Sequence, residues 1–342
     1  MKRNIFWILL VLFVVAITYG YSYYQSIFAA NVTVSDGETG EFFIKRGSTY
    51  DQVANNLLEE KLIKDPKGFD WVAQRMNYPK HVYPGRYVIQ DGMSNRELLQ
   101  MLRSGHQSPI TYTFVKYRTI PELVEDVASK FEMSELQLLD AINDPNLLSE
   151  YGLKPETLLG IFVPNTYELY WTTSANDFIK RMYKEYRNFW GDARNNRADQ
   201  MRLKRMEVMT LASIVEEETN KNTEKARIAG VYLNRVRKRM LLQADPTVKF
   251  AVGDFTIRRV LNKHLEVDSP FNTYKYPGIP PGPICTPSIP SIDAVLNSEN
   301  HDFLYFCARP DSTGLHQFSK SLTEHLNFAR AYHASLNQRG IK

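Results

Sequence analysis

The sequence predicts an α+β protein: a single N-terminal transmembrane helix, a small unit of strands and helices, and a larger mixed α/β domain that carries the chemistry. Three observations predict it. An apolar run stands behind a short basic lead; a strand–helix–helix–strand pattern follows a polar stretch; and the last third sets amphipathic helices beside a long Pro/Gly loop and a short apolar strand. The 342 residues, 43% hydrophobic and 23% charged, have the make-up of a globular chain with room for one large core or two ordinary ones. A net charge of +4 fits an acidic polymer or a membrane surface. It does not point to nucleic acid, because no Lys/Arg cluster accompanies it, and Arg235-Val236-Arg237-Lys238-Arg239 reads as one solvated helix face. Cys285 and Cys307 are too few for a disulfide scaffold and leave open either a pair or two free thiols.

Residues 1–4 form a basic tip that the positive-inside rule leaves in the cytoplasm, and residues 5–24 are the expected bilayer helix. Tyr19, Tyr21, Tyr23 and Tyr24 then resemble an aromatic belt. The strictly apolar stretch runs only from Ile5 to Ile17, so a cleaved signal peptide is the competing reading. In either case the rest of the chain lies outside the cytoplasm. Residues 25–40 read as a linker. The small unit, 41–107, opens with the strand Phe42-Phe43-Ile44. Ser48 or Thr49 caps a helix bearing Val53, Leu57 and Leu58, and a second helix spans Lys67 to Met76. Pro84-Gly85 turns into the strand Arg86–Ile89, and Ser94 opens a helix that stops at Gly105.

The larger domain, 108–342, begins with a strand at Ile110–Val115 and a helix behind Pro121. Helical stretches at Ser134–Ile142 and Asn176–Trp190 follow, and the catalytic core is expected at 206–342. Phe303–Ala308 reads as a short buried strand. No P-loop, dinucleotide fingerprint, His-Glu-x-x-His, Cys-x-x-Cys or Gly-x-Ser-x-Gly occurs, and the seven histidines are scattered. No cofactor and no metal are therefore expected, which leaves carboxylate chemistry.

The helix from Met206 to Thr219 carries Glu216, Glu217 and Glu218 in succession. With Ala212 at zero, Glu216 falls at about +40° on the stripe of Val208, Met209, Leu211, Ala212 and Val215, Glu217 at about 140° and Glu218 at about −120°. Glu216 is thus the expected acid, since a carboxyl against apolar walls has a raised pKa and can protonate a glycosidic oxygen at neutral pH. A helix-end glutamate can equally turn to water or pair with Arg227 or Arg235. A second helix, Glu224–Arg239, follows with Ile228, Val231, Tyr232 and Val236 on its stripe. Gln243, Asp245, Thr247, Asn272, Thr273, Tyr274 and Glu218 are the groove candidates, amides and hydroxyls suiting sugar hydroxyls and an aromatic face suiting a pyranose. Asp245 precedes proline and is equally a turn or helix-start residue.

Several ordered motifs resemble the MltG (YceG-like) endolytic murein transglycosylases: Ala212-Ser213-Ile214-Val215-Glu216-Glu217-Glu218-Thr219, Val231-Tyr232-Leu233-Asn234-Arg235, Met240 to Val248, Asn272-Thr273-Tyr274, Gly278 to Ile284, and the closing His316-Gln317-Phe318 and Glu324-His325. The resemblance implies a LysM-like domain at 41–107. It also implies non-hydrolytic cleavage of the MurNAc–GlcNAc β-1,4 bond within strands to leave 1,6-anhydro ends, with Glu216 as acid and then base. Peptidoglycan strands are the implied partner, together with peptidoglycan synthases at which nascent strands are ended, on the outer side of the cytoplasmic (inner) membrane. Two positions depart from the family pattern: Asn165 stands where Asp is usual after Phe-x-Pro, and Ser288 where Gly is usual after Thr286-Pro287.

Overall fold

The computed structural model describes residues 2–34, 37–311 and 313–338; Met1 of the expected tip and two residues of the expected linker lie outside them. The chain divides into two compact units. One comprises Met1–Tyr112, Lys130–Met133 and Glu168–Ser174; the other comprises Thr113–Ser129, Ser134–Tyr167 and Ala175–Lys342.

Helix α1 spans Lys2–Phe28, so residues 2–4 begin the helix instead of preceding it. Its stretch Asn4–Phe28 contains an 18-residue run of mean hydropathy 2.2 and is exposed throughout most of its length, long and apolar enough to cross a membrane. This fits single-pass anchoring. In the same unit β1 (Thr39–Ile44) pairs antiparallel with β2 (Gly85–Gln90), Phe42 opposite Tyr87. Between them α2 (Tyr50–Glu59) starts at a capping box of Thr49 and Gln52, and α3 (Pro66–Arg75) starts at the Asp65 cap with proline in its first turn. Helix α4 (Asn95–Ser104) opens on a Ser94–Glu97 capping box and ends at Gly105, whose φ of 70° is the left-handed cap that glycine adopts without penalty. Phe42, Ile44, Leu57, Phe69, Tyr87, Ile89 and Leu98 fill the core.

The linker expected at 25–40 is largely built into this unit. Residues 25–28 are the last turn of α1, Val32 is fully buried and bridges Ile63, and the Asn31 amide donates to Asn95 Oδ1 at 2.7 Å. A buried segment whose polar groups find partners in the core is structure, not tether.

Two short strands follow, β3 (Ile110–Thr113) and β4 (Thr166–Leu169), with α5 (Ile120–Lys130), α6 (Glu135–Ile142) and α7 (Pro145–Glu150) between them. The larger unit continues with α8 (Ala175–Phe189), α9 (Asp192–Met201), α10 (Arg205–Glu218), α11 (Asn222–Arg237), α12 (Asp245–Val252), α13 (Asn262–Leu265) and α14 (Ile289–Leu296). A hairpin of β5 (Tyr305–Ala308) and β6 (His316–Ser319) is backed by α15 (Leu322–Gln338). Helix α10 is the centre. Every residue from Val208 to Val215 is buried, because α9, α11, α12 and α14 pack around it. A helix covered on all sides has no single core stripe. The strand expected to be buried at Phe303–Ala308 is instead only half-buried, its β5 portion forming one wall of a cleft.

Candidate active site

The C-terminal turn of α10 presents three adjacent carboxyl groups in three different environments. Glu216 points between α11 and α14. Lys225 Nζ lies 2.9 Å from its Oε2, and the hydroxyls of Ser288 and Ser291 donate to the same oxygen. Burial pushes this carboxyl upward, but the two hydroxyls and the ammonium outweigh burial and hold it below the ordinary range. The rise expected from an apolar face is therefore reversed. Ser288, one of the two departures from the family pattern, supplies one of the hydroxyls responsible.

Glu217 is clamped as an anion too. Lys116 Nζ is 2.9 Å from Oε1 and Arg118 Nη2 is 3.0 Å from Oε2, so that burial, again the largest influence, is overcome and the pKa falls.

Glu218 differs. Burial pushes its carboxyl from the ordinary 4.5 to about 7; the Tyr232 hydroxyl, which donates to it, and the charge of Lys249 pull it back, while the negative charges of Asp245 and Glu217 add to the rise. It lines a cleft of about 340 Å³ whose other walls come from Tyr232 and Arg235 on α11, Leu242 and Gln243 ahead of α12, Asp245 at its start, Tyr274, strand β5, His316 and His325. Asp245 accepts a hydrogen bond from Tyr274 Oη at 2.6 Å across the mouth. His325 stacks on Tyr305, and burial, with Arg235 nearby, pushes its pKa down.

Of the groove candidates, Glu218, Gln243, Asp245 and Tyr274 line this cleft. Thr247, Asn272 and Thr273 do not: all three are essentially fully buried. The Thr247 and Thr273 hydroxyls meet at 2.8 Å, and Thr273 Oγ1 accepts the Ala244 amide. The Asn272 side chain donates to the carbonyls of Leu265 and Val267 and accepts from the Tyr274 amide. Their polar groups fold the loop that places Tyr274 and Gln243. Gln243 has a φ of 51°, a left-handed conformation uncommon for a side-chain-bearing residue. Its backbone amide donates to Thr273 O and its side chain accepts from Arg235.

Sequence reasoning missed Arg235, Tyr305, His316 and His325 as cleft residues. Arg235 was expected on a solvated face, yet it is buried and its guanidinium donates to the carbonyls of Leu304, Leu241 and Leu242. The signal available was position: Arg235 falls three residues after Tyr232, on the same side of α11. Glu216 pairs with neither Arg227, which holds Glu299, nor Arg235, and Glu224 takes His316, at 3.1 Å. Both cysteines are free, and Cys285 is buried beneath α10 with Sγ 3.5 Å from Ser213 O. The Asn165 side-chain oxygen accepts the Thr166 amide at the start of β4.

A mostly helical domain with a tyrosine-rimmed cleft, one of whose carboxyl groups burial raises toward neutrality, has the make-up of an enzyme that uses acid–base chemistry. Comparison with known proteins narrows the class. The YceG-like family model matches residues 42–331, and the chain belongs to that family. It is 30% identical over 312 residues to the endolytic murein transglycosylase of Bacillus subtilis (strain 168), covering 86% of this chain and 85% of that one. It is 27% identical to the endolytic murein transglycosylase of Streptococcus pneumoniae serotype 2, covering 78% of this chain and 53% of the longer relative. Among solved structures, a yceG-like protein from Listeria monocytogenes superposes with a TM-score of 0.58 at 28% identity, over 85% of this chain and 98% of that chain.

Proposed function

We infer that this chain is an endolytic murein transglycosylase, cleaving the MurNAc–GlcNAc β-1,4 bond inside glycan strands, with Glu218 and not Glu216 as its acid–base group. The observation that carries the assignment is the Glu218 carboxyl, raised to about 7 and lining the cleft, while its two neighbours are fixed as anions by cations. A group half-protonated near neutral pH suits both halves of the reaction. As the acid it protonates the leaving glycosidic oxygen. As the resulting carboxylate it takes the proton of the MurNAc C6 hydroxyl, whose oxygen bonds to C1 and closes the 1,6-anhydro ring. No water is consumed, so a second catalytic carboxylate is not required, unlike the paired groups of ordinary glycosidases. Asp245, held by Tyr274, borders the cleft and raises the Glu218 pKa through its charge.

The LysM-like character expected at 41–107 is kept as a proposal, supported by the strand–helix–helix–strand order with antiparallel strands. A basic lead at the start of α1 supports an orientation with the catalytic unit outside the cytoplasmic membrane. An enzyme tethered there and cutting within strands is placed to end nascent strands beside their synthases. The test is mass spectrometry of purified strands incubated with wild type, Glu218→Gln and Glu216→Gln. Anhydro-ended fragments from wild type and Glu216→Gln, and none from Glu218→Gln, support the reading. Reducing-end fragments make the protein a hydrolase, and cleavage by Glu218→Gln moves the acid elsewhere.

A further inference from the structure

Arg235 carries a charge that its surroundings leave unneutralised. Its engaged donors meet neutral acceptors: Nε meets Leu304 O at 2.6 Å, and Nη1 meets Leu241 O, Leu242 O and Gln243 Oε1. Nη2 has no hydrogen-bond partner among the described residues, although the side chain is more than nine-tenths buried. The residue lines the cleft. The two carboxyl groups that line the same cleft are bonded to other groups: Glu218 accepts from the Tyr232 hydroxyl and Asp245 from the Tyr274 hydroxyl. Tyr305 lies against the guanidinium at 5.0 Å and fixes its plane.

A buried guanidinium tied on one edge and free on the other is pre-oriented for an anionic acceptor. The hydroxyl and acetamido groups of a glycan strand are neutral, so the charge would be idle against them. We propose that the free Nη2 edge of Arg235 is a carboxylate-binding subsite and determines which strands the enzyme takes. This rests on the reading of the cleft as the glycan-strand site. Two carboxylate sources exist on murein: the lactyl carboxyl of a muramoyl residue that has lost its peptide, and the carboxyls of a stem peptide.

The test reads binding, independent of cleavage. The full chain in detergent carries Glu218→Gln, and strand affinity is followed by isothermal titration calorimetry. Peptide-free strands are compared with the same strands methyl-esterified, and stem-bearing strands with the same strands amidated. Masking the recognised carboxylate is expected to weaken binding roughly 10-fold, the scale of one charge-assisted hydrogen bond. Loss in the first comparison assigns the lactyl carboxyl, and loss in the second assigns the stem. Adding Arg235→Gln is expected to abolish the difference, and Arg235→Lys to restore part of it. Because Arg235 also ties three carbonyls, melting curves accompany both variants, and the substrate-side comparison decides the matter even where a variant does not fold. Equal affinity of masked and unmasked strands in both comparisons overturns the subsite alone. Failure of every strand to bind overturns it together with the proposed substrate.

Discussion

Tyr232 on α11 donates its phenolic hydrogen to the carboxyl of Glu218 at the end of α10. The value near 7 is therefore a balance: burial raises the carboxyl, and this hydrogen bond to its oxygen lowers it. Tyr232 is almost fully buried, so the bond is made in a setting where it counts for more than it would in water.

Tyr232→Phe removes the lowering influence and keeps the ring. The Glu218 pKa is expected to rise further, so the acid form persists to higher pH and the alkaline limb of the cleavage profile moves upward. The loss of rate at neutral pH is expected to stay within about tenfold, since one hydrogen bond is lost and the acid remains. A pH profile unchanged from wild type would separate Tyr232 from the acid.

Glu218 also sets a sign for stability. Its folded value of about 7 lies above the ordinary 4.5, so between these the folded state binds more protons than the unfolded chain. By linkage, stability falls as pH rises through that window. Glu218→Gln, which cannot ionise, is expected to be more stable than wild type at pH 8 by no more than about 3 kcal/mol, and to lose that advantage below pH 4. Calorimetry at the two pH values checks it. A catalytic carboxyl that costs stability is what a buried functional acid should show.

Glu216 and Lys225 behave in the opposite way. Lys225 is buried, and Ser288 and Ser291 complete the setting of the pair, so Glu216→Gln leaves a buried ammonium without its counter-charge. The expected cost is about 3 kcal/mol in urea denaturation, and Glu216→Gln with Lys225→Met should recover most of it. In the wild type, the lowered Glu216 pKa makes its contribution present above the unfolded value and lost as pH falls through the folded one. Cleavage should survive in Glu216→Gln wherever the protein stays folded. This variant therefore separates a positioning role from a catalytic one.

The exchange between Glu216 and Glu218 shows what the sequence could carry. Caps, turns and amphipathic helices of the small unit were legible because each depends on a few neighbouring residues: Thr49 ahead of α2, Ser94 opening α4 and Gly105 closing it. The acid proposed here was not. A helical wheel assumes one wet face, and α10 has none over Val208–Val215, so the angle of Glu216 did not distinguish a cleft from a salt bridge. What decides each glutamate comes from far along the chain: Lys116 and Arg118, Ser288 and Ser291, Tyr232 and Asp245. The same holds for Thr247, Asn272 and Thr273, whose polarity suggested sugar contacts but is consumed within the fold.

The proline loop offers a last test, because it is docked along α10 and the segment ahead of α5. Ile284 N donates to Ser213 Oγ at 3.0 Å, Thr286 N to Tyr117 O at 2.8 Å, and Ser288 reaches Glu216. Gly282 begins this run, and a Cβ there would lie 1.7 Å from the backbone oxygen of Glu156. Backbone cannot yield as a side-chain tip can, so Gly282→Ala must lift the loop from the helix. The expected cost is about 3 kcal/mol in urea denaturation, with a fall in cleavage greater than stability alone explains, since Ser288 would leave Glu216 and the end of α10 would lose its brace. Gly278→Ala is the control: its φ of 89° is strained for alanine, but no atom lies within 4 Å of the added carbon, so about 1 kcal/mol is expected and cleavage should persist. Equal effects at the two positions would mean that close packing on Glu156 does not hold the loop in place.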